Sequence, residues 1–278
     1  MSIKNSIQRF QIPQIMGVLN LTEDSFSDGG SFLAPSAAVA HAMAMIEAGA
    51  ELLDIGAEST RPGASGVPAE LEWQRIQPVL AELRAKAPKV LLSIDTQKAE
   101  VAERAIALGA DIINDVSALQ FDPDMLKVIA AHPGIRVILM HMQGRPQTMQ
   151  VSPHYDDVQA EVIDFLQQRA EYAISQGVAK EQIILDPGIG FGKKLKHNLT
   201  LLAELDSLSE LGYPVLLGAS RKGFIATISP SSADQRLGGS LATTMLACLN
   251  QVSIIRVHDV QAHRQFLDVF AAIMDAGA

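Results

Sequence analysis

The amino-acid sequence predicts a (β/α)8 barrel. Eight short aliphatic runs alternate with eight helical patterns. The runs are near-continuous in Val, Ile and Leu, as in parallel strands buried on both faces. Each run ends at or near a polar residue: Asn20, Asp54, Asp95, Asn114, His141, Asp186, Ser220 and Arg256. Parallel sheets and barrels assemble their sites at the carboxyl ends of strands, so these exits are where chemistry is expected. The 278 residues match the usual barrel length of about 250. No linker, low-complexity stretch or composition shift interrupts the alternation, so residues 1–278 read as one domain. A doubly wound open sheet is the alternative topology for the same alternation.

The first run, Gln14–Leu19, stops at Asn20 and gives way to a polar loop ending in Gly29-Gly30. Met1–Pro13 ahead of it reads as a strand or lid over the amino-terminal end of the barrel. The pattern Ser36–Ala48 is helical and stops at Gly49, because glycine takes the left-handed conformation that closes a helix. Leu52–Ile55 is the second strand and Ala69–Lys86 its helix. Val90–Ile94 leads to Lys98–Leu108, closed by Gly109. Asp111–Ile113 leads to Asp124–Ala131. Val137–Met140 leads to Asp156–Gln176, closed by Gly177. Ile183–Leu185 leads to Asn198–Leu211, closed by Gly212. Val215–Leu217 leads to Gln235–Asn250. Ile254–Val257 leads to a last helix from Val260 to Met274.

Composition narrows the function. Hydrophobic residues make up 48% of the chain and aromatics 5%, enough for a large aliphatic core. A net charge of −9 and a pI of about 5.2 argue against a nucleic-acid surface, which needs a basic footprint. The lone cysteine, Cys248, excludes an internal disulfide, argues against a cysteine zinc site and reads as a small buried hydrophobe. No run approaches the roughly 18 apolar residues of a membrane span, and the N-terminus lacks a signal-type apolar core. The expectation is a soluble, cytoplasmic protein without membrane or nucleic-acid partners.

Chemistry concentrates at the strand exits. Asp186-Pro187-Gly188-Ile189-Gly190-Phe191-Gly192-Lys193 follows a strand and precedes a helix. Its alternating glycines let a flat or anionic ligand approach the backbone, and Phe191 offers an apolar wall. A plain βα turn is the bland alternative. Asp95, Asn114 and Asp186 suit an amino-heterocycle: a carboxylate accepts two parallel N–H bonds, and Asn both donates and accepts. Taken alone, Asp95 reads equally as a helix N-cap, and Asn114-Asp115 as a turn. Arg61, Lys222, Arg256 and His258 follow strands in an acidic chain, a pattern that fits a phosphate or diphosphate; scattered salt bridges are the alternative, chiefly for Arg61. No metal-cage spacing occurs, but Asn20 can give one oxygen to a Mg²⁺ that also binds phosphate. Ser220 resembles a nucleophile elbow only loosely. Met140, Met142 and Met149 read as wall or loop packing, and His41, His132, His154 and His197 as surface residues. The residues by themselves reach a barrel that binds a flat amino-heterocycle and a diphosphate.

Eight segments in this order, Met16–Gly30, Asp54–Gly63, Ser93–Thr96, Asn114–Val116, Met140–Gly144, Asp186–Gly192, Ser220–Lys222 and Arg256–Asp259, resemble the dihydropteroate synthase family of bacterial folate biosynthesis over essentially the whole chain. The resemblance implies a TIM barrel and a transferase. It would condense 6-hydroxymethyl-7,8-dihydropterin diphosphate with 4-aminobenzoate, giving 7,8-dihydropteroate and diphosphate. It implies Asp95, Asn114, Asp186 and Lys222 on the pterin, and Asn20, Arg61, Arg256 and His258 on the diphosphate and its Mg²⁺. Thr60, Pro62, Phe191, Ser220 and Arg221 would shape the aminobenzoate site. It further implies catalytic roles for Asp95, Lys222, Arg256 and His258, inhibition by sulfonamides, mobile loops near Asn20–Gly30 and Ser59–Gly66, and a homodimer. Diphosphate departure is the demanding event, so a dissociative displacement without a protein nucleophile is expected. Arg256→Ala is expected to cost turnover far more than stability.

Two positions depart from the family pattern. Thr22-Glu23-Asp24 stands where many members have Thr-Pro-Asp, which frees φ and restores an N–H in the first loop. Gly223 follows Lys222 where some members have Ser, leaving backbone N–H groups to meet the aminobenzoate carboxylate. Two rivals share the pterin residues: a barrel transferring methyl from a reduced folate to a corrinoid partner, and a non-catalytic pterin-binding paralogue. The first has no need of the four cationic residues; the second should have lost one of the groups.

Overall fold

The computed structural model describes residues 10–21, 35–59, 66–145 and 148–276. Eight parallel strands run β1 Gln14–Asn20, β2 Leu52–Gly56, β3 Leu91–Asp95, β4 Ile112–Asp115, β5 Arg136–Met140, β6 Ile183–Asp186, β7 Leu216–Leu217 and β8 Ile254–Val257. They are hydrogen-bonded in the order β6-β5-β4-β3-β2-β1-β8-β7. A parallel bridge between Leu185 and Val215 joins β6 to the start of β7 and closes the ring. The doubly wound alternative is thereby excluded, and the fold is a (β/α)8 TIM barrel.

The helices are α1 Pro35–Glu47, α2 Ala69–Lys86, α3 Ala99–Ala107, α4 Met125–Ala131, α5 Val158–Ser175, α6 Leu195–Ala203, α7 Asp206–Ser209, α8 Gly223–Ile228, α9 Leu237–Leu249 and α10 Val260–Ala276. The expected helices recur to within a few residues, with two differences. The pattern over Asn198–Leu211 is divided into α6 and α7, and α8 is an additional helix ahead of α9. Gly49, Gly109, Gly177 and Gly212 all have positive φ, as their role at helix ends requires. Phe10–Pro13 form no strand; Gln11 N–H donates to the Cys248 carbonyl at 3.0 Å. The rest of the expected amino-terminal lid lies outside the described residues. Cys248 is fully buried, as read. No helix among the described residues is long and apolar enough to cross a membrane.

Side chains alternate across a strand, so every second residue of each strand enters the barrel. Met16, Leu52, Leu91, Ile112, Ile138, Ile184, Leu216 and Ile254 meet there, one from each strand, and form an apolar floor. Two residues further along, the same alternation brings in Asp54 from β2, Ser93 from β3, Asn114 from β4, Asp186 from β6 and Arg256 from β8. The interior therefore changes from apolar to charged within one layer. A larger cluster between strands and helices supplies the rest of the core.

Deleting a floor side chain tests this filling. Ile138→Ala should cost about 2–5 kcal/mol in denaturant unfolding, as buried Ile truncations do. A loss below about 1 kcal/mol would mean that the interior collapses to fill the gap.

Candidate active site

Asp54 is fully buried. Its Oδ1 accepts from the Ser93 hydroxyl at 2.7 Å. Its Oδ2 accepts from Asn114 Nδ2 at 3.1 Å and from Arg256 Nε at 2.6 Å. The three donors come from β3, β4 and β8. A buried ion pair persists only when the remaining lone pairs are satisfied, and these donors do that. Arg256 Nη2 reaches on to Asp95 Oδ2 at 3.4 Å. Arg256 is thus the counter-charge of a buried carboxylate as well as a group at the mouth. Removing it would leave Asp54 unpaired, a loss of about 3–5 kcal/mol, so Arg256→Ala is expected to cost stability as well as turnover.

The bland readings of two residues separate cleanly. Asp95 is no helix cap: α3 begins after Lys98, and its first N–H, from Ala99, donates to Asp122 at 2.9 Å. The turn role falls to Asp115, which accepts from the N–H groups of Ser117 at 2.8 Å and Leu119 at 2.9 Å. Asn114 is left to face Asp54. Burial and then the Asp54 charge push the pKa of Asp95 up to about 8, against the pull of Arg256. Burial likewise raises Asp186, opposed by the Gly188 N–H at 2.7 Å and by Lys222. Burial and then Arg256 lower Lys222 to about 8, while Asp186 and Asp95 oppose them. Its Nζ lies 4.1 Å above the Phe191 ring, a cation–π contact. Asp95, Asn114, Asp186, Phe191, Lys222 and Arg256 line one slot, with Val116, Met140 and Ile189 as its apolar walls.

The glycine-rich turn is held from below by Lys193. Its buried Nζ donates to the carbonyls of Gly188 at 3.0 Å, Phe191 at 3.1 Å and His141 at 3.3 Å, and meets His141 Nδ1 at 2.8 Å. Burial and then the Lys193 charge lower the His141 pKa to about 3, so its ring is a neutral acceptor. Burial also draws Lys193 down to about 7, but four acceptors around Nζ favour the ammonium form. Gly188 has φ +66°, and a Cβ there would overlap the His141 carbonyl oxygen. The glycine permits this approach.

At the rim, Ser220 Oγ lies 3.1 Å from His258 Nδ1 and accepts the His258 N–H at 3.3 Å. Burial and then Arg256 and Arg221 push the His258 pKa down to about 4. The residue is exposed, so the cations beside it are the firmer cause, and a bound anion would oppose them. Arg221, at φ +57°, gives Nε to Asp259 at 2.9 Å and Nη2 to the same carboxylate at 2.5 Å. Beside the slot, and sharing Phe191 and Lys222 with it, lies a cleft of about 520 Å³ that also touches Arg221 and Gly223. Asn20 ends β1, half-buried. Thr60, Arg61 and Pro62, with Glu23, lie outside the described residues. The flanks of that second segment are tied together: Glu58 accepts the Val67 N–H at 3.1 Å and pairs with Lys98, which also pairs with the buried Glu72.

The family model for "Pterin binding enzyme" matches residues 16–258. The chain belongs to the pterin-binding enzyme family. Within it, the dihydropteroate synthase of Escherichia coli K12 is 46% identical over 264 residues, covering 95% of this chain and 93% of the relative. A Xanthomonas albilineans dihydropteroate synthase solved with 4-aminobenzoic acid has a TM-score of 0.88 and 46% identity, covering 94% of this chain and 93% of that one. A Yersinia pestis dihydropteroate synthase in a sulfonamide drug complex has a TM-score of 0.89 and 43% identity, covering 97% and 96%.

For a pterin-binding enzyme, the residues read from sequence converge well. Asp95, Asn114, Asp186, Phe191, Lys222 and Arg256 share the slot, and Ser220, Arg221 and His258 form the rim. Sequence reasoning placed Asp54 among the strand exits without a specific role and assigned none to Lys193; Asp54 lies instead within β2, beneath the slot. Asp54 carried a signal, a carboxylate inside the aliphatic run Leu52-Leu53-Asp54-Ile55. Lys193 carried none, since a lysine beside a helix start reads as surface. Among the surface histidines, His41 and His154 are exposed, and His132 and His197 are half-buried.

The raised pKa of Asp95 makes a signed prediction. Unfolded, the carboxyl titrates near about 3.9; folded, at about 8. Its contribution to stability is complete below the unfolded value and is lost as pH rises through the folded one. Asp95→Asn does not titrate, so its Tm should gain on the parent's as pH rises from about 4 to about 8. A difference that stays constant across that window would return Asp95 to an ordinary pKa.

Proposed function

We infer that the chain is a dihydropteroate synthase. It condenses 6-hydroxymethyl-7,8-dihydropterin diphosphate with 4-aminobenzoate to give 7,8-dihydropteroate and diphosphate, in folate biosynthesis. One observation carries the residue assignment: acceptors for a flat amino-heterocycle and cations for an anion line the same slot. Asp186 accepts the paired N–H donors of the pterin, and Asn114 and Lys222 complete its edge. Arg256, His258 and Arg61 take the diphosphate. The pterin methylene–oxygen bond breaks first, and its electron pair leaves with the diphosphate. The neutral arylamine nitrogen then gives its lone pair to the methylene carbon and loses a proton. Arg256 and Lys222 stabilise the growing charge on the leaving group, and Asp95, whose ionisation the positive ring itself favours, stabilises the cation left on the ring. Phe191 walls the cleft that receives the aminobenzoate ring; Thr60, Pro62, Ser220 and Arg221 complete that site, with the Gly223 backbone at its carboxylate end.

Among the described residues, no cluster of His, Cys, Asp and Glu could cage a metal. The donor set fits Mg²⁺, which takes few protein ligands and keeps its water and phosphate oxygens. Asn20 would hold it, and bound there it would neutralise phosphate charge. We further infer a cytoplasmic homodimer without membrane or nucleic-acid partners. Leu199 and Ile228, 40% and 58% exposed, flank an apolar groove between α6, α8 and α9 that would suit burial against a second copy. A methyl-transfer role has no use for the cations at this mouth.

Purified protein with dihydropterin methyl diphosphate and Mg²⁺ should release diphosphate only when 4-aminobenzoate is present, with an equal amount of dihydropteroate. Release without the amine, or a trapped covalent adduct with the protein, would overturn the reading. Phe191→Ala should raise the KM for 4-aminobenzoate and the sulfonamide inhibition constant together, by up to about tenfold. Parallel titrations of both ligands check this; movement of only one would separate their sites.

A further inference from the structure

We propose that Asp54 is a positioning residue for the reaction, one buried carboxylate that sets both the pterin-facing amide and the diphosphate-facing guanidinium. It rests on the site assignment above. Asp54 sits between the apolar floor and the slot, with no exposed surface of its own. A single oxygen, Oδ2, receives Asn114 Nδ2 at 3.1 Å and Arg256 Nε at 2.6 Å. Oδ1 is anchored by Ser93 at 2.7 Å, which fixes the plane of the carboxylate.

Two consequences follow from that geometry. An Asn amide can be flipped at little cost unless its partners decide. Asp54 accepts only, so it turns Nδ2 of Asn114 inward and leaves Oδ1 to face the slot as an acceptor. An Arg held through Nε keeps its two Nη groups forward. Arg256 Nη2 already points at Asp95, 3.4 Å away. The fork is thus aimed before the diphosphate arrives, and a charge-assisted bond fixes the aim. Both arms of one substrate take their register from one atom of the protein.

Asp54→Asn tests this, since it keeps the volume but offers an N–H where an acceptor is required. The KM for dihydropterin methyl diphosphate should rise by at least about tenfold, the loss of a bond to a charged group. Affinity for inorganic diphosphate alone should fall in parallel, and the KM for 4-aminobenzoate should stay within about twofold. A merely structural carboxylate would lower Tm and the fraction of active enzyme and leave both KM values alone; that result overturns the proposal. Asp186→Asn separates the two readings. If it leaves the KM for the diphosphate substrate unchanged, the site assignment fails. If it raises that KM while Asp54→Asn does not, only the role of Asp54 fails. Should Asp54→Asn not fold, Ser93→Ala decides, because it keeps both charges and frees only Oδ1. A threefold or larger rise in the same KM, on the order of one weakened bond, supports the proposal, and an unchanged KM overturns it.

Discussion

The interior of a closed barrel is the constraint from which the rest follows. Eight parallel strands turn every second side chain into a space that helices cannot reach. That space must be filled, and whatever fills it is cut off from water except at one end. Here apolar residues fill the lower layer, one from each strand. The next layer holds Asp54 and Arg256, in contact at 2.6 Å. The apolar layer makes the charges above it costly to leave unpaired, and their pairing makes them rigid. Asp95 sits one step nearer solvent and shares the same guanidinium. Its raised pKa and the lowered pKa of Lys222 both trace to burial on top of that floor.

The pattern of the strands was open to reading in the sequence, because burial on both faces leaves near-continuous Val, Ile and Leu. Ile183-Ile184-Leu185-Asp186 announces both a strand and its exit, whereas Leu52-Leu53-Asp54-Ile55 announces a strand that runs on past its carboxylate to Gly56. Helix ends were legible through Gly49, Gly109, Gly177 and Gly212, whose positive φ is a local requirement. The interruption after Ala203 was not, because Leu201, Leu202, Leu205 and Leu208 keep a helical spacing through it.

The slot was legible as residue types at strand ends, but its wiring was not. Nothing local says that Arg256 meets a residue 202 positions earlier in the chain. Barrel closure brings β8 beside β1, and period two carries the side chain across the interior to Asp54. Asp95 and Asp115 show the same limit from another direction. Both are acidic residues at strand ends; one faces a guanidinium, and the other turns back to cap its own loop. Only the three-dimensional neighbours separate them. Arg221 is a third case, a cation at the mouth whose Nε and Nη2 are already committed to Asp259.

The ammonium of Lys193 surrounded by three carbonyl oxygens and an imidazole nitrogen has the coordination of a small monovalent cation in a backbone nest. Carbonyl oxygens gathered in this way are ligands that a free cation could take in place of its hydration shell. This nest carries its own cation, on a tether. The turn that presents Phe191 is therefore held by a cation that is covalently part of the chain and arrives with folding, its charge set by a proton.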